Sequence, residues 1–252
     1  MRETKTVRPP HQRLLDGSRA THSNTSSDRA ALSPSLSGLR AEDLRSATHH
    51  LTLSHRHLQQ AHADAIIGLL AALEARDAYT HRHSIHVSIF ADAIARRCKL
   101  PMPLIRTIHV AALLHDVGKI GIPDAILLKP GRLTPDEFES MKRHSEIGAA
   151  MLRPMTFLSK ETLLVLHHHE WFDGTGYPHR LADDAIPLGS RILQVADSID
   201  AMISPRNYKP GYSVAHVIDE LRKGSGRQFD PGIAKCAVTW IESHPDALAM
   251  PV

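Results

Sequence analysis

Apolar residues recur at helical spacing through most of this chain, and no run of strands is indicated. Aromatic residues, which strands favour, make up only 4% of the sequence, whereas Ala, Leu and Ile are abundant. The chain is therefore predicted to be all-α, with helices that pack through aliphatic contacts. After a first long helix, the predicted segments are 83–99, 103–115, 135–151, 159–169, 188–203, 214–223 and 231–242.

Residues 39–75 are predicted to form one long helix. Larger and small residues alternate along it in a heptad pattern, with the first heptad position occupied by Leu44, Leu51, Leu58, Ala65 and Ala72. Small residues at the second position bury little area, so the pattern is a weak coiled-coil signal. Two interpretations stay open: a helix that mediates a homodimer, and a helix that packs on its own domain.

Residues 1–38 are rich in Ser, Thr, Arg and Pro and show no period, which predicts a disordered tail. The formal net charge of +3 comes from basic residues in this tail, and the remainder is close to neutral. A basic arm without a basic domain argues against nucleic-acid binding as the main function.

Membrane and disulfide-rich classes are not expected either. The longest apolar run, from Ala65 to Leu73, is far shorter than the roughly 20 residues needed to cross a bilayer. No apolar signal core follows Met1. Cys98 and Cys236 are the only cysteines and are interpreted as buried thiols of a reducing compartment, so a cytoplasmic location without membrane attachment is expected.

Histidine and carboxylate residues recur in two motifs that could carry chemistry. LLHDVGK, residues 113–119, places His115 beside Asp116 at the end of an apolar helix, and HHHEWFDGTGYP, residues 167–178, joins three histidines to a turn rich in Gly and Pro. Imidazole and carboxylate together suit iron, manganese or zinc. Capped helix ends and packed core histidines remain the alternative for each motif taken alone.

The ordered set of motifs resembles the HD-GYP domains, a branch of the HD metal-dependent phosphohydrolases. The resemblance covers about residues 74–233. The matching segments, in the family's order and spacing, are YTHRHS, HDVGKIGIPD, KRHSEIG, HHEWFDGTGYP, IPLGSRILQVADSIDAM, RNYK and FDP.

This resemblance implies an HD-type helical bundle over residues 76–252 whose centre holds two divalent metals. Iron is the first expectation and manganese the second. The implied activity is hydrolysis of cyclic di-GMP to linear pGpG, or further to GMP. Carried over position by position, the implied ligands are His83, His115, Asp116, His144, His168, His169 and Asp197, with Asp116 bridging the two metals.

The resemblance also assigns residues to the substrate. Lys119 matches a lysine that meets the phosphate, and Arg206 with Lys209 matches an arginine and a lysine that bind phosphate. Tyr177 is expected to wall the guanine pocket or to help recruit partner signalling domains, and a purely structural turn is the alternative. Lys119, Arg206 and Lys209 could instead be solvated charges.

Further carboxylates and two departures refine these expectations. Glu170, Asp173 and Asp200 are predicted to orient ligand imidazoles. Tyr79 stands where some members carry a glutamate that supports a third metal, so two metals are predicted, and Asn207 replaces the usual proline of the phosphate-binding loop. Histidines outside the motif set, including His86 and His179, are interpreted as surface or packing residues, with His167 the first exception to consider because it adjoins two proposed ligands.

Two other functions stay open on these residues. One keeps the dinuclear site but acts on another cyclic dinucleotide or a nucleotide. The other is a degenerate module that binds cyclic di-GMP or a partner without cleaving it, although every implied ligand position is occupied here.

Overall fold

The computed structural model describes residues 40–76, 78–204 and 211–248, with the backbone alone for 78–81. The predicted tail, residues 1–38, therefore lies outside the described residues. Over the described ranges the chain is built from α-helices and short 3-10 turns, with one isolated bridge between Ser225 and Phe229. The all-α prediction is confirmed. The helices are α1 (Ala41–Glu74), α2 (Ala78–Arg97), α3 (Met102–Leu114), α4 (Asp124–Leu127), α5 (Pro135–Lys142), α6 (His144–Leu152), α7 (Ser159–Leu166), α8 (Leu188–Ile203), α9 (Val214–Gly224) and α10 (Pro231–Ser243).

The chain divides into two units with a boundary between Leu53 and Ser54, and helix α1 contributes residues to both. In the first unit the described residues, 40–53, are all exposed, and the helix starts with acidic residues that suit its N-terminal dipole. In the second unit the last turns of α1 pack on the core through Ile66, Leu69, Leu70 and the fully buried Leu73. The end of α1 therefore packs on its own domain. The leucines of the predicted seam stay exposed, so a homodimer through this helix remains a prediction.

The core of the second unit lies among α2, α3, α7, α8 and α10, with α2 packed against both α3 and α8. Helix α8 shows why the sequence folds this way, because Ile192, Val195, Ala196 and Ile199 follow the i, i+3, i+4, i+7 spacing and all are fully buried. No helix among the described residues is long and apolar enough to span a membrane.

Two predicted helices end earlier than the sequence pattern indicates. The segment 135–151 is divided at Arg143, whose ψ of −12° closes α5 before His144 opens α6. The segment 159–169 stops at Leu166, and His167 adopts a non-helical ψ of 12°. The start of α5 is as predicted, with a capping box between Thr134 and Glu137 and Pro135 at the first position. Both corrections place histidines at helix ends, where side chains from several helices can converge.

A 3-10 turn at Val117–Gly121 packs directly against α6. The approach is so close that a Cβ on Gly118 would lie 2.8 Å from the carbonyl carbon of His144. Only glycine permits this contact. At the far end of the turn, the Arg76 guanidinium donates to the Ile122 carbonyl at 2.8 Å. The turn is thus fixed at both ends, which holds the preceding Asp116 beside the start of α6.

The two cysteines are free and half-buried. Burial, followed by a hydrogen bond with Cys236, raises the pKa of the Cys98 thiol to about 12. A thiol with so high a pKa is unreactive at neutral pH, as expected for a cysteine that serves only in packing.

Candidate metal centre

The structure brings all seven implied metal ligands together at the centre of the helical domain. His83 lies on α2, Asp197 on α8, and His115 with Asp116 directly after α3. The remaining three occupy the corrected helix ends, with His144 as the first residue of α6 and His168 and His169 just past α7. Five helices, or the residues that directly follow them, therefore supply one cluster of imidazole and carboxylate groups.

Asp116 lies between two sets of side chains. Its Oδ2 is 3.5 Å from Nε2 of His115 and 3.8 Å from Nε2 of His83, whereas its Oδ1 is 3.5 Å from Nε2 of His144. Ligand atoms of His83, His115 and Asp197 lie within 4.8 Å of one another, and so do those of His144, His168 and His169. A carboxylate with one oxygen toward each set has the position that bridging two cations requires.

Hydrogen bonds to the backbone orient three of the imidazoles. Nδ1 of His115 donates to the Ala112 carbonyl at 2.7 Å. In the same way, Nδ1 of His144 donates to the Met141 carbonyl at 2.8 Å, and Nδ1 of His168 donates to the Val165 carbonyl at 2.6 Å. A carbonyl oxygen can only accept, so Nδ1 carries a proton in each ring, and in the neutral imidazole Nε2 then presents a lone pair to the cluster.

Two of these lone pairs face each other. Nε2 of His144 lies 3.3 Å from Nε2 of His168, and neither nitrogen has a proton to share. Burial lowers the pKa of His144 and lowers that of His168 well below its usual range, so a proton between them is unfavourable at neutral pH. A metal cation resolves this arrangement, and the donor set fits one.

The charge state of the other groups also suits metal binding. Burial raises the pKa of Asp116, but Lys119, His115 and His144 outweigh it and hold the pKa well below its usual range. Burial likewise opposes ionisation of Asp197, whose pKa is nevertheless lowered by its hydrogen bond to His83. The pKa of His169 falls to about 3, mainly through burial. Ionised carboxylates and neutral imidazoles are the forms that ligate metals.

His83 differs because it contacts two carboxylates. Its Nδ1 donates to Asp200 at 2.6 Å, and its Nε2 lies 3.1 Å from Asp197. Burial alone lowers the pKa of His83, but the hydrogen bonds with Asp197 and Asp200 raise it to about 10. The metal-free protein therefore holds a proton on this imidazole, and a cation has to displace it.

Asp200 is fully buried and also accepts a hydrogen bond from Nδ1 of His86 at 2.9 Å. The predicted role of Asp200, to orient a ligand imidazole, agrees with this geometry. The interpretation of His86 as a surface or packing residue missed its place in the network. A signal was present, because His83 and His86, like Asp197 and Asp200, are three residues apart on a helix and share a face.

The residues assigned to substrate are only partly described. Lys119 donates to Oδ2 of Asp116 at 2.6 Å. Tyr177 stacks on the ring of His169, with ring centroids 4.8 Å apart, and its backbone N–H donates to the His169 carbonyl. Arg206 and Lys209, as well as the side chain of Tyr79, lie outside the described residues.

The other two predicted orienting carboxylates serve the turn that carries Tyr177. Glu170, which is fully buried, accepts from the backbone N–H groups of His179 and Leu181 at 2.7 and 3.1 Å. Asp173 accepts from the backbone and hydroxyl of Thr175. These contacts differ from the prediction because the carboxylates are nearer to backbone donors of their own turn than to the ligand imidazoles.

A helical domain whose helix ends gather histidines around a His-Asp pair is the arrangement of HD domains. The HD domain family model matches residues 66–233, so the chain belongs to the HD domain family. The resemblance to the HD-GYP branch, based on the motifs above, is confirmed.

Known proteins agree with this assignment. The chain is 42% identical over 185 residues to a Pseudomonas aeruginosa protein named cyclic di-GMP phosphodiesterase, covering 73% of this chain and 44% of the relative. It is 36% identical over 182 residues to a Vibrio cholerae 3'3'-cGAMP-specific phosphodiesterase, covering 71% and 34%. The chain thus spans less than half the length of these relatives.

A solved structure has the same fold. The structure of a cyclic GMP-AMP specific phosphodiesterase from Vibrio cholerae superimposes with a TM-score of 0.57 at 19% identity, over 73% of this chain and 49% of that one. At this identity the likeness supports the fold alone.

Proposed function

We propose that this domain is a dinuclear metal-dependent phosphodiesterase that hydrolyses cyclic di-GMP to linear pGpG. The observation that carries the proposal is the position of Asp116 between two sets of three ligands, one of which holds facing imidazole lone pairs. Similarity to a relative named cyclic di-GMP phosphodiesterase supports the substrate.

The proposed ligands divide by their distances. One divalent cation would be held by His83, His115 and Asp197, and the other by His144, His168 and His169. Asp116 would bind both cations. Mixed imidazole and carboxylate donors suit iron, manganese or zinc, and the family resemblance favours iron first and manganese second. Two such cations would supply an activated water and offset the negative charge of the phosphodiester.

Lys119 would contribute a fixed positive charge next to the reacting phosphate. Its ammonium lies 2.6 Å from Oδ2 of Asp116, and three donors allow it to hold that carboxylate and a phosphate oxygen together. From this position it would also stabilise the departing 3′ oxygen. Arg206 and Lys209 are proposed to bind the second phosphate through charge-assisted hydrogen bonds.

Tyr177 is proposed to wall the base pocket. A cavity of about 340 Å³ opens beside its ring, with Phe138, Trp171, Lys142 and Arg180 among its other lining residues. The Lys142 ammonium lies 5.5 Å from the centre of the Tyr177 ring. Aromatic faces and cations in one cavity suit a nucleotide base joined to phosphate.

A second cyclic dinucleotide remains a specific candidate. One relative is named for 3'3'-cGAMP, and its sequence covers nearly the same share of this chain as the cyclic di-GMP relative does. A domain that only binds its ligand is less well supported, because all seven proposed ligands are present and gathered in one cluster.

The experiment is anaerobic purification with metal analysis, followed on the same sample by hydrolysis of cyclic di-GMP and 3'3'-cGAMP. Asp116→Asn should lose more than about 100-fold in turnover and most of the bound metal, since even partners that only orient metal ligands cost 10–100-fold. Asp219→Asn is the matched control, because Asp219 is exposed on α9 and pairs with Lys223 of the same helix.

Wild-type levels of turnover in Asp116→Asn would contradict the proposed mechanism. Faster hydrolysis of 3'3'-cGAMP than of cyclic di-GMP would transfer the proposal to that substrate. Two equivalents of metal without turnover of either would favour a binding module.

A further inference from the structure

Three side chains outside the proposed dinuclear centre form a second potential ligand set, here called the turn cluster: His167, Glu170 and His179. One ligand atom from each lies within 4.8 Å of the others. The rings of His167 and His179 have centroids 5.2 Å apart, and Nδ1 of His167 is 3.5 Å from Oε1 of Glu170. His167 and Glu170 are buried, whereas His179 is exposed.

The turn cluster contains a polar atom that the described residues leave unsatisfied. Nδ1 of His167 is buried and has no hydrogen-bond partner in the part of the chain that the structure describes, since its approach to Glu170 does not form a hydrogen bond. Buried polar groups are nearly always paired, and an exception calls for a ligand or another specific explanation. The imidazole is only 6% exposed and lies beside the two other potential ligands.

The cluster is separate from the dinuclear centre although the two are neighbours in sequence. The His168 ring contacts the rings of His115, His144 and His169. The His167 ring contacts His179 and Glu170 instead. Successive residues after α7 therefore direct their side chains to two different ligand sets.

Glu170 is already held in place for such a role. Both of its oxygens accept backbone N–H groups, from His179 at 2.7 Å and Leu181 at 3.1 Å. A carboxylate oriented by two backbone donors still has lone pairs left for a cation. The fixed carboxylate and the buried imidazole thus form one wall, and the exposed His179 provides both the third ligand and a route from solvent.

We propose that the turn cluster is a third metal site, which takes a borderline divalent cation of the zinc class through His167, Glu170 and His179. Two imidazoles and one carboxylate, with water in the fourth position, form a common tetrahedral zinc set. Ligand atoms around zinc lie roughly 3.4 Å apart, so closure needs a movement of at most about 1.4 Å, which the exposed His179 side chain can make. The bound cation would tie the end of α7 to the turn that stacks Tyr177 on His169.

The test is to measure the number of zinc ions bound and their affinity by equilibrium dialysis, both in the full chain and in the Asp116→Asn variant of it. That background removes the proposed bridging ligand, so failure of the dinuclear proposal and failure of this one remain distinguishable. His179→Ala should bind one zinc fewer or bind it more than about 10-fold more weakly. His57→Ala, at an exposed histidine of α1, is the matched control and should bind zinc as wild type does.

His179→Cys provides the second measurement, because a thiolate also ligates zinc and should restore the bound equivalent. Unchanged zinc stoichiometry and affinity in His179→Ala would overturn the proposal. A loss in His179→Cys equal to that in His179→Ala would also overturn it, since the side chain would then not act as a ligand.

Discussion

Replacing Gly118 with alanine should destabilise the domain and weaken metal binding together. The new Cβ would lie 2.8 Å from the carbonyl carbon of His144 and closer still to the neighbouring backbone atoms of α6. These atoms belong to a helix backbone and cannot rotate away as a side chain can. The 3-10 turn and α6 would have to separate by roughly 1.5 Å to restore ordinary van der Waals contact with the nearest of these atoms.

The expected size follows from this contact. Overpacking a core costs about 1–3 kcal/mol, and a backbone clash belongs at the upper end. A loss of about 3 kcal/mol corresponds to a fall in Tm of roughly 6–12 °C for a domain of this size. Because α6 begins with His144, the separation also moves one proposed ligand away from Asp116 by more than metal coordination tolerates.

Gly121→Ala is the matched control, since it makes the same change three residues later in the same turn. Its Cβ would meet Cγ2 of Ile147 at 2.7 Å, a methyl of a half-buried side chain that can turn about χ1 as a helix backbone cannot. Thermal unfolding by circular dichroism and metal analysis would be measured for both variants. We expect a loss below about 1 kcal/mol for Gly121→Ala. A Gly118→Ala protein with the Tm and metal content of Gly121→Ala would refute the reasoning.

Two further predictions concern the carboxylate network behind the centre. Asp200→Ala removes the acceptor of His83 and His86, so we expect a loss of about 3 kcal/mol in urea unfolding, and a loss below 1 kcal/mol would contradict this role. In metal-free protein the pKa of His83 is raised to about 10, so the resulting stabilisation is complete below pH 6.5 and is lost as pH rises toward 10. Denaturation between pH 6.5 and 10 should show a decline of up to about 5 kcal/mol that metal loading abolishes, and a flat metal-free profile would count against it.

The prediction from sequence was most successful where local patterns decide the outcome. Helix α8 follows directly from the spacing of its buried residues, and its predicted bounds agree with the structure. The start of α5 follows from Thr134, Pro135 and Glu137, whose interactions are all within one turn. The implied ligands were carried over from motif order, and the structure places all seven in one cluster.

Tertiary structure alone decided how these residues are arranged. His83 and Asp200 are 117 residues apart in sequence, and only the packing of α2 on α8 makes them neighbours. The sequence could not predict that α5 ends before Arg143, because the helical pattern continues across this residue. Contacts between the 3-10 turn and α6 hold His144 at the start of α6. Periodicity reports which face of a helix is buried. Which groups meet there depends on long-range packing, and so do the charges that decide whether each can bind a metal.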